Sequence, residues 1–150
     1  MGSVLDILRD KWDLMVAHPP CTHLAVSGAR WFVEKRELQQ EALEFVRKLL
    51  NAPIPRIALE NPVSIISTHI CKPDQIIQPW QFGHEFQKKT CLWLKNLPKL
   101  TPTKVVDKGA FYVSPKGHRL PKWYSDNTNP KFRSKTFQGI ADAMAEQWGA

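Results

Sequence analysis

A cysteine and a glutamate occupy two positions of this sequence where a reactive side chain would be well placed. Cys21 follows two prolines in the stretch HPPCTHLAVSG, and Glu60 follows the apolar run IAL. A thiolate held on a stiff loop can act as a nucleophile when a cation or a helix N-terminus lies nearby. A carboxyl group that faces a pocket can hydrogen-bond a substrate and exchange a proton with it. The two residues together predict a nucleophile and a carboxyl group in one cleft.

Two predicted strands and one helix would bring these residues together. The apolar stretches Asp13–Ala17 and Ile54–Leu59 both end at proline-containing breakers, which favours buried strands. Between them, Arg30–Leu50 has apolar residues at spacings of three and four, typical of an amphipathic helix. This order predicts a parallel strand pair with a right-handed crossover. Functional groups gather beyond the carboxyl ends of such strands, which is where Cys21 and Glu60 are expected.

The rest of the chain contains weaker patterns. We expect a helical turn or strand end at Val4–Leu8, a short helix at Val63–Ile70, a loop at Cys71–Trp80, a strand at Thr90–Leu94, extended loops over Pro98–Pro130 with one strand at Ala110–Val113, and a helix at Phe137–Trp148. The sequence predicts an α/β core over residues 1–99. A short basic segment follows over residues 100–135, and a C-terminal helix over residues 136–150 returns to the core.

The composition limits the class of protein. The 150 residues are 43% hydrophobic and 23% charged, as expected for a globular domain with an ordinary core. No apolar run reaches the roughly 20 residues that cross a bilayer, so we predict no membrane association. The three cysteines show no compact spacing, which argues against a secreted disulfide framework and favours the reducing cytoplasm.

The charge pattern points to a polyanionic partner, although simple solubility would also explain it. The net charge is +7, and basic residues dominate the second half of the chain. Within that half, Gln87, Lys88 and Lys89 precede an apolar strand and could clamp a phosphate backbone. A solvated strand entry is the alternative interpretation. Arg133 is a further candidate for contact with nucleic acid.

Each candidate residue also has a simpler explanation. A free cysteine is most often a small buried hydrophobe, and a glutamate such as Glu60 can cap the turn after a strand. The pairs Cys21-x-His23 and His69-x-Cys71 contain four potential zinc ligands, but their spacing differs from the usual C-x₂-C pattern, and we predict no metal. The other histidines are expected in turns or on the surface: His18, His84 and His118.

Several of these motifs together resemble the cytosine-5 DNA methyltransferases, particularly the short forms of phages and prophages. The stretch PPCTHLAVSG resembles the family's prolyl-cysteine motif, and ALENPV resembles its Glu-Asn-Val motif with a proline in the last position. FQKKTCLWL is similar to the Gln-x-Arg-x-Arg motif, with Gln87 and Lys89 in place and Cys91 at the second arginine. The C-terminal stretch TFQGIADAMAEQWG resembles the final motif more weakly.

The resemblance implies a three-layer, Rossmann-like fold and a covalent mechanism. Cys21 would add to C6 of a flipped cytosine, Glu60 would hold N3 and the exocyclic amine, and S-adenosylmethionine would methylate C5. Pro20 would contact the cofactor, and Gln87, Lys88, Lys89 and Arg133 would contact DNA. We expect Cys21 and Glu60 within about 10 Å of each other, the span of one small base.

The chain also departs from the family pattern. A glycine-rich cofactor loop does not precede Trp12, so the N-terminal cofactor motifs are expected to be missing or supplied by a second chain or a homodimer. Three hypotheses remain open. The chain is a whole or partial cytosine-5 methyltransferase, a non-catalytic DNA-binding relic or anti-restriction decoy, or a different enzyme that uses Cys21 on a nucleotide.

Overall fold

A mixed four-stranded sheet carries the candidate residues in the computed structural model, which describes residues 3–25, 36–126, 129, 131 and 135–149. Its strands are β1 (Leu14–Ala17), β2 (Arg56–Pro62), β3 (Gln75–Ile77) and β4 (Thr90–Lys95). They lie in the order β1-β2-β4-β3. β1 pairs parallel with β2, whereas β2 pairs antiparallel with β4. The parallel pair confirms the predicted strand–helix–strand unit.

One amphipathic helix connects the two parallel strands and covers one face of the sheet. Helix α1 (Arg36–Leu50) is the described part of the helix predicted from Arg30, since residues 26–35 lie outside the described chain. Apolar residues of α1 and of the strands form one cluster that includes Leu43, Val46, Leu49, Ile57, Leu59 and Trp93. Each large apolar side chain buried in this way stabilises the fold by about 1.5–3 kcal/mol.

The chain divides into two compact units. Unit 1 consists of Met1–Ile76 and Lys89–Lys99, and unit 2 consists of Ile77–Lys88 and Leu100–Ala150. Outside the sheet, unit 1 also contains a 3₁₀ turn at Val4–Ile7 and the short helix α2 (Ile66–His69), both at positions predicted from the sequence.

The described part of unit 2 includes a hairpin and two helices. Strands β5 (Phe111–Val113) and β6 (Arg119–Pro121) pair antiparallel, followed by α3 (Lys122–Asp126) and α4 (Gln138–Trp148). The rings of Phe86, Trp123 and Phe137 pack together, with centroids 5.4 to 6.1 Å apart. In the described ranges, no helix is both long and apolar enough to span a membrane.

Three predictions of local structure were wrong. Glu60 lies inside β2 rather than beyond its end, because β4 supplies antiparallel partners as far as the Pro62–Thr90 pair. The segment Cys71–Trp80, expected to be a loop, contains β3, which is too short to show a period of two. The segment Pro98–Pro130, expected to hold one strand, contains the β5–β6 hairpin and α3.

Candidate functional site

The carboxyl ends of β1 and β2 lie side by side, and their register decides which side chains meet. Ala17 pairs with Leu59, so His18 and Glu60 follow at the same level. Successive side chains of a strand point to opposite faces, which places residues 18 and 60 on the face opposite Leu59. His18 Nδ1 lies 2.5 Å from Glu60 Oε2. The imidazole N–H donates this short hydrogen bond to the carboxyl oxygen.

The turn that carries Cys21 is fixed to the same edge of the sheet. The Cys21 carbonyl accepts hydrogen bonds from the Leu24 amide at 3.0 Å and the Ala25 amide at 2.9 Å. Asn61 Nδ2 donates to the Pro19 carbonyl at 3.0 Å. Since two residues of chain span at most about 7 Å, Cys21 is held close to the end of β2. The half-buried Cys21 therefore lies at the edge that carries Glu60.

Several buried polar atoms at this edge have no hydrogen-bond partner among the residues that the structure describes. They are Asn61 Oδ1 and His23 Nδ1, together with Nε2 of Gln39 in the first turns of α1. α1 runs from the carboxyl end of β1 to the amino end of β2, so its first turns lie at the same edge. Each unpaired buried polar atom costs about 1–3 kcal/mol. Unpaired buried groups are uncommon in folded proteins, and a catalytic role is one of the explanations for them.

The start of β4 brings a cation and a second cysteine to this edge. Thr90 pairs with Pro62, so the exposed Lys89 lies just beyond the end of β2. Burial raises the pKa of the Cys91 thiol, the negative charge of Glu60 raises it further, and Lys89 opposes the effect. Cys91 is 2% exposed. It is therefore a neutral core thiol, and Cys21 is the better candidate for a nucleophile.

The other predicted contact residues are Gln87, Lys88, Arg133 and Pro20. Gln87 and Lys88 belong to unit 2, where both are half-buried. The Gln87 carbonyl accepts from Trp123 Nε1 at 2.8 Å, and Lys88 Nζ donates to the Lys135 carbonyl at 3.2 Å. The first contact holds the backbone at Gln87, and the second holds the ammonium group of Lys88. Arg133 lies outside the described residues, and Pro20 is exposed next to Cys21.

The zinc alternative gains no support from the structure. Across the described ranges, histidine, cysteine and acidic side chains form no group of three or more that could hold a metal ion. The four residues that the sequence suggested, Cys21, His23, His69 and Cys71, all lie within those ranges.

Comparison with known proteins identified no family for this chain. No family model, curated protein or solved structure matched the chain significantly. The functional argument therefore rests on what we call the edge cluster: His18, Cys21, Glu60, Asn61 and Lys89. Sequence reasoning singled out Cys21, Glu60 and Lys89, and it expected His18 in a turn or on the surface. The signal it missed is the parallel register, which places the residue after Ala17 beside the residue after Leu59.

Proposed function

We propose that this chain carries the base-attacking site of a DNA cytosine C5 methyltransferase on a three-layer, Rossmann-like sheet. The observation that supports it best is the parallel β1–β2 pair, which holds the Cys21 turn and the Glu60 carboxyl at one edge. Lys89 adds a cation there, and the net charge of +7 favours a phosphate backbone. The resemblance of the three motifs to that family supports the same reaction.

The edge cluster suits addition to a pyrimidine ring. The Cys21 thiolate forms a bond to C6 of a cytosine extruded from the duplex, and the electron pair of the C5–C6 double bond moves into the ring. Glu60 hydrogen-bonds N3 and the exocyclic amine, which stabilises the charge that the ring accepts. The adduct makes C5 nucleophilic, and a bound donor would supply a methyl group there and leave as its demethylated product. Loss of the C5 proton and departure of the Cys21 thiolate restore the aromatic ring.

The described residues do not fit the methyl donor that the resemblance implies, S-adenosylmethionine. The amides of Leu24 and Ala25 are bonded to the Cys21 carbonyl, and Pro20 has no N–H to offer. Pro20, the residue that the resemblance assigns to the donor, therefore has no N–H for the carboxylate of an amino-acid tail, and no step is assigned to the donor. We infer that other residues complete the donor pocket, from this chain, a second copy or another protein. β1 is an edge strand of the described sheet and could pair with a second copy.

Exchange of the C5 hydrogen with water tests the site without a methyl donor. Reversible addition of Cys21 makes C5 exchangeable, so the protein should release tritium from DNA that contains [5-³H]cytosine at many different sequences. Cys21→Ser should abolish the release, and Glu60→Gln should slow it by about 10²–10⁴-fold because it removes the acid–base group. The control Cys71→Ser changes an exposed thiol and should leave the rate unchanged.

The same experiment distinguishes the enzyme from the alternative of a non-catalytic DNA-binding protein. The basic composition favours that alternative. DNA binding with no tritium release above the Cys21→Ser level would overturn the proposed reaction and leave a DNA-binding protein. Tritium release that persists in Cys21→Ser would show that a different group attacks the base.

A further inference from the structure

The contact between His18 and Glu60 assigns a role to a residue that the proposed mechanism does not yet use. His18 Nδ1 and Glu60 Oε2 are in hydrogen-bond contact, 2.5 Å apart. A hydrogen bond to an ionised carboxylate is charge-assisted and stronger than one between neutral groups. The histidine side chain is 41% exposed and the glutamate side chain only 10%. The imidazole thus touches solvent on one side and the buried carboxyl on the other.

Glu60 lies where a carboxyl group needs a fixed partner. Its neighbours on the same face of the sheet, Ala58 and Leu92, are fully buried apolar residues. A carboxylate in such surroundings is costly unless it is hydrogen-bonded or paired. Among the described residues, the titratable and charged groups near it include His18 after β1, Cys91 of β4 and Lys89 just before β4.

For Glu60 to bind a base, the plane of its carboxyl group must have a particular orientation. Recognition of N3 and of an exocyclic amine needs both groups to lie near the carboxyl plane, since hydrogen bonds weaken steeply away from linearity. A hydrogen bond to Oε2 restricts rotation of the carboxyl about its last torsion, which is otherwise broad. The register of β1 and β2 fixes the imidazole that makes this bond.

We propose that His18 is a positioning residue that holds the carboxyl of Glu60 in the plane of the bound base. The inference rests on the proposed function, because the base is the substrate proposed above. His18 donates from Nδ1 and forms no covalent bond to the substrate. Its loss should lower the rate of the addition step more than it weakens DNA binding.

The first test is spectroscopic and needs no activity. The Nδ1 proton of His18 should resonate far downfield of the amide region in the wild-type protein. It should move upfield in Glu60→Gln, because the bond loses its charged acceptor. A wild-type His18 Nδ1 proton with an ordinary shift, or one that Glu60→Gln does not change, would overturn the inference whether or not the protein is an enzyme.

The second test uses tritium release and a conservative rescue. His18→Ala should lower the maximal rate by roughly 10- to 100-fold, the effect of losing a hydrogen bond to a charged group. His18→Asn keeps a donor near the position of Nδ1 and should restore most of that loss, while His69→Ala, an exposed histidine of α2, should have no effect. Equal rates in wild type and His18→Ala would overturn the inference. No release from the wild type would overturn the proposed function instead, and the spectroscopic test would then decide alone whether His18 holds Glu60.

Discussion

Asn61 donates a hydrogen bond from its side-chain amide to the carbonyl of Pro19, two residues before Cys21. Asn61 is 1% exposed, and the two residues are separated by 42 positions in the sequence. This bond ties the end of β2 to the proline turn, and with the His18–Glu60 bond it fixes that turn at two successive residues. The position of Cys21 is therefore set by β2 as much as by the stiffness of its own loop.

Replacement of Asn61 should loosen the Cys21 turn. In Asn61→Ala the Pro19 carbonyl loses its partner, so we expect the free energy of unfolding to fall by about 1–3 kcal/mol. Alkylation of Cys21 in the folded protein should become faster. The matched control is Asn96→Gly, which removes the bond from exposed Asn96 to the Pro55 carbonyl at the other end of β2 and tolerates its positive φ of 53°. It should leave Cys21 alkylation unchanged, and equal rates in all three proteins would contradict this account.

Gly139 in α4 should not tolerate a methyl group. Alanine normally stabilises a helix by about 1 kcal/mol relative to glycine. A Cβ at Gly139, however, would lie 2.0 Å from the Phe82 carbonyl oxygen and 3.0 Å from His84 Nε2. The Gly139 amide also donates to that histidine nitrogen at 2.9 Å. We expect Gly139→Ala to destabilise the protein by about 1–3 kcal/mol, measured by denaturant unfolding.

The neighbouring position provides the control for this helix. Gln138→Ala removes an exposed hydrogen bond to Asp142 and should change the free energy of unfolding by less than about 0.5 kcal/mol. A stabilised Gly139→Ala variant would show that α4 does not approach Phe82 as closely as the structure indicates.

The raised pKa of Cys91 predicts a loss of stability at alkaline pH. The unfolded thiol ionises near pH 8.5, whereas burial and Glu60 keep the folded thiol protonated to higher pH. Above about pH 8.5 the unfolded state therefore binds fewer protons, so stability falls until the pH passes the raised pKa of the folded state. Between about pH 7 and pH 10, the free energy of unfolding measured with denaturant should fall less in Cys91→Val than in the wild type. Equal declines would exclude Cys91 as the source.

Salt dependence should identify the residue that contacts phosphate. If Lys89 neutralises one phosphate, Lys89→Gln should weaken DNA binding and reduce the slope of log affinity against log salt by about 1. Lys48→Gln makes the same charge change on an exposed lysine in the last turn of α1, at the opposite edge of the sheet. It should leave the slope unchanged. Fluorescence anisotropy over a range of salt concentrations measures both, and identical slopes for the two variants would argue against Lys89.

The secondary structure could be predicted from the sequence where a clear apolar periodicity ends at proline-containing turns. β1, α1 and their parallel connection to β2 follow from apolar spacing between proline-containing turns. The antiparallel pairing of β4 was not predicted, because the direction of β4 depends on the path of the chain through residues 77–88, and no local pattern in the sequence indicates that path. β3 was missed for a related reason. The formation of this three-residue strand depends on contacts with distant residues, such as the hydrogen bond from the Asp74 amide to the Leu92 carbonyl. His18 lies on the surface, as predicted, but its contact with Glu60 was not predicted because that partner lies on another strand.

The path of the chain between the two units has a consequence for its synthesis on the ribosome. Residues 77–88 leave the ribosome before the remainder of unit 2, which begins at Leu100 and includes α4 up to Trp148. At ~5–20 residues per second, that remainder takes roughly 3–10 s to appear. During this interval Phe82, which is buried in the folded protein close to Gly139 of α4, has not yet met that helix. Nascent chains should therefore depend on chaperones in this window, and slow codons after position 100 would lower the yield of folded protein.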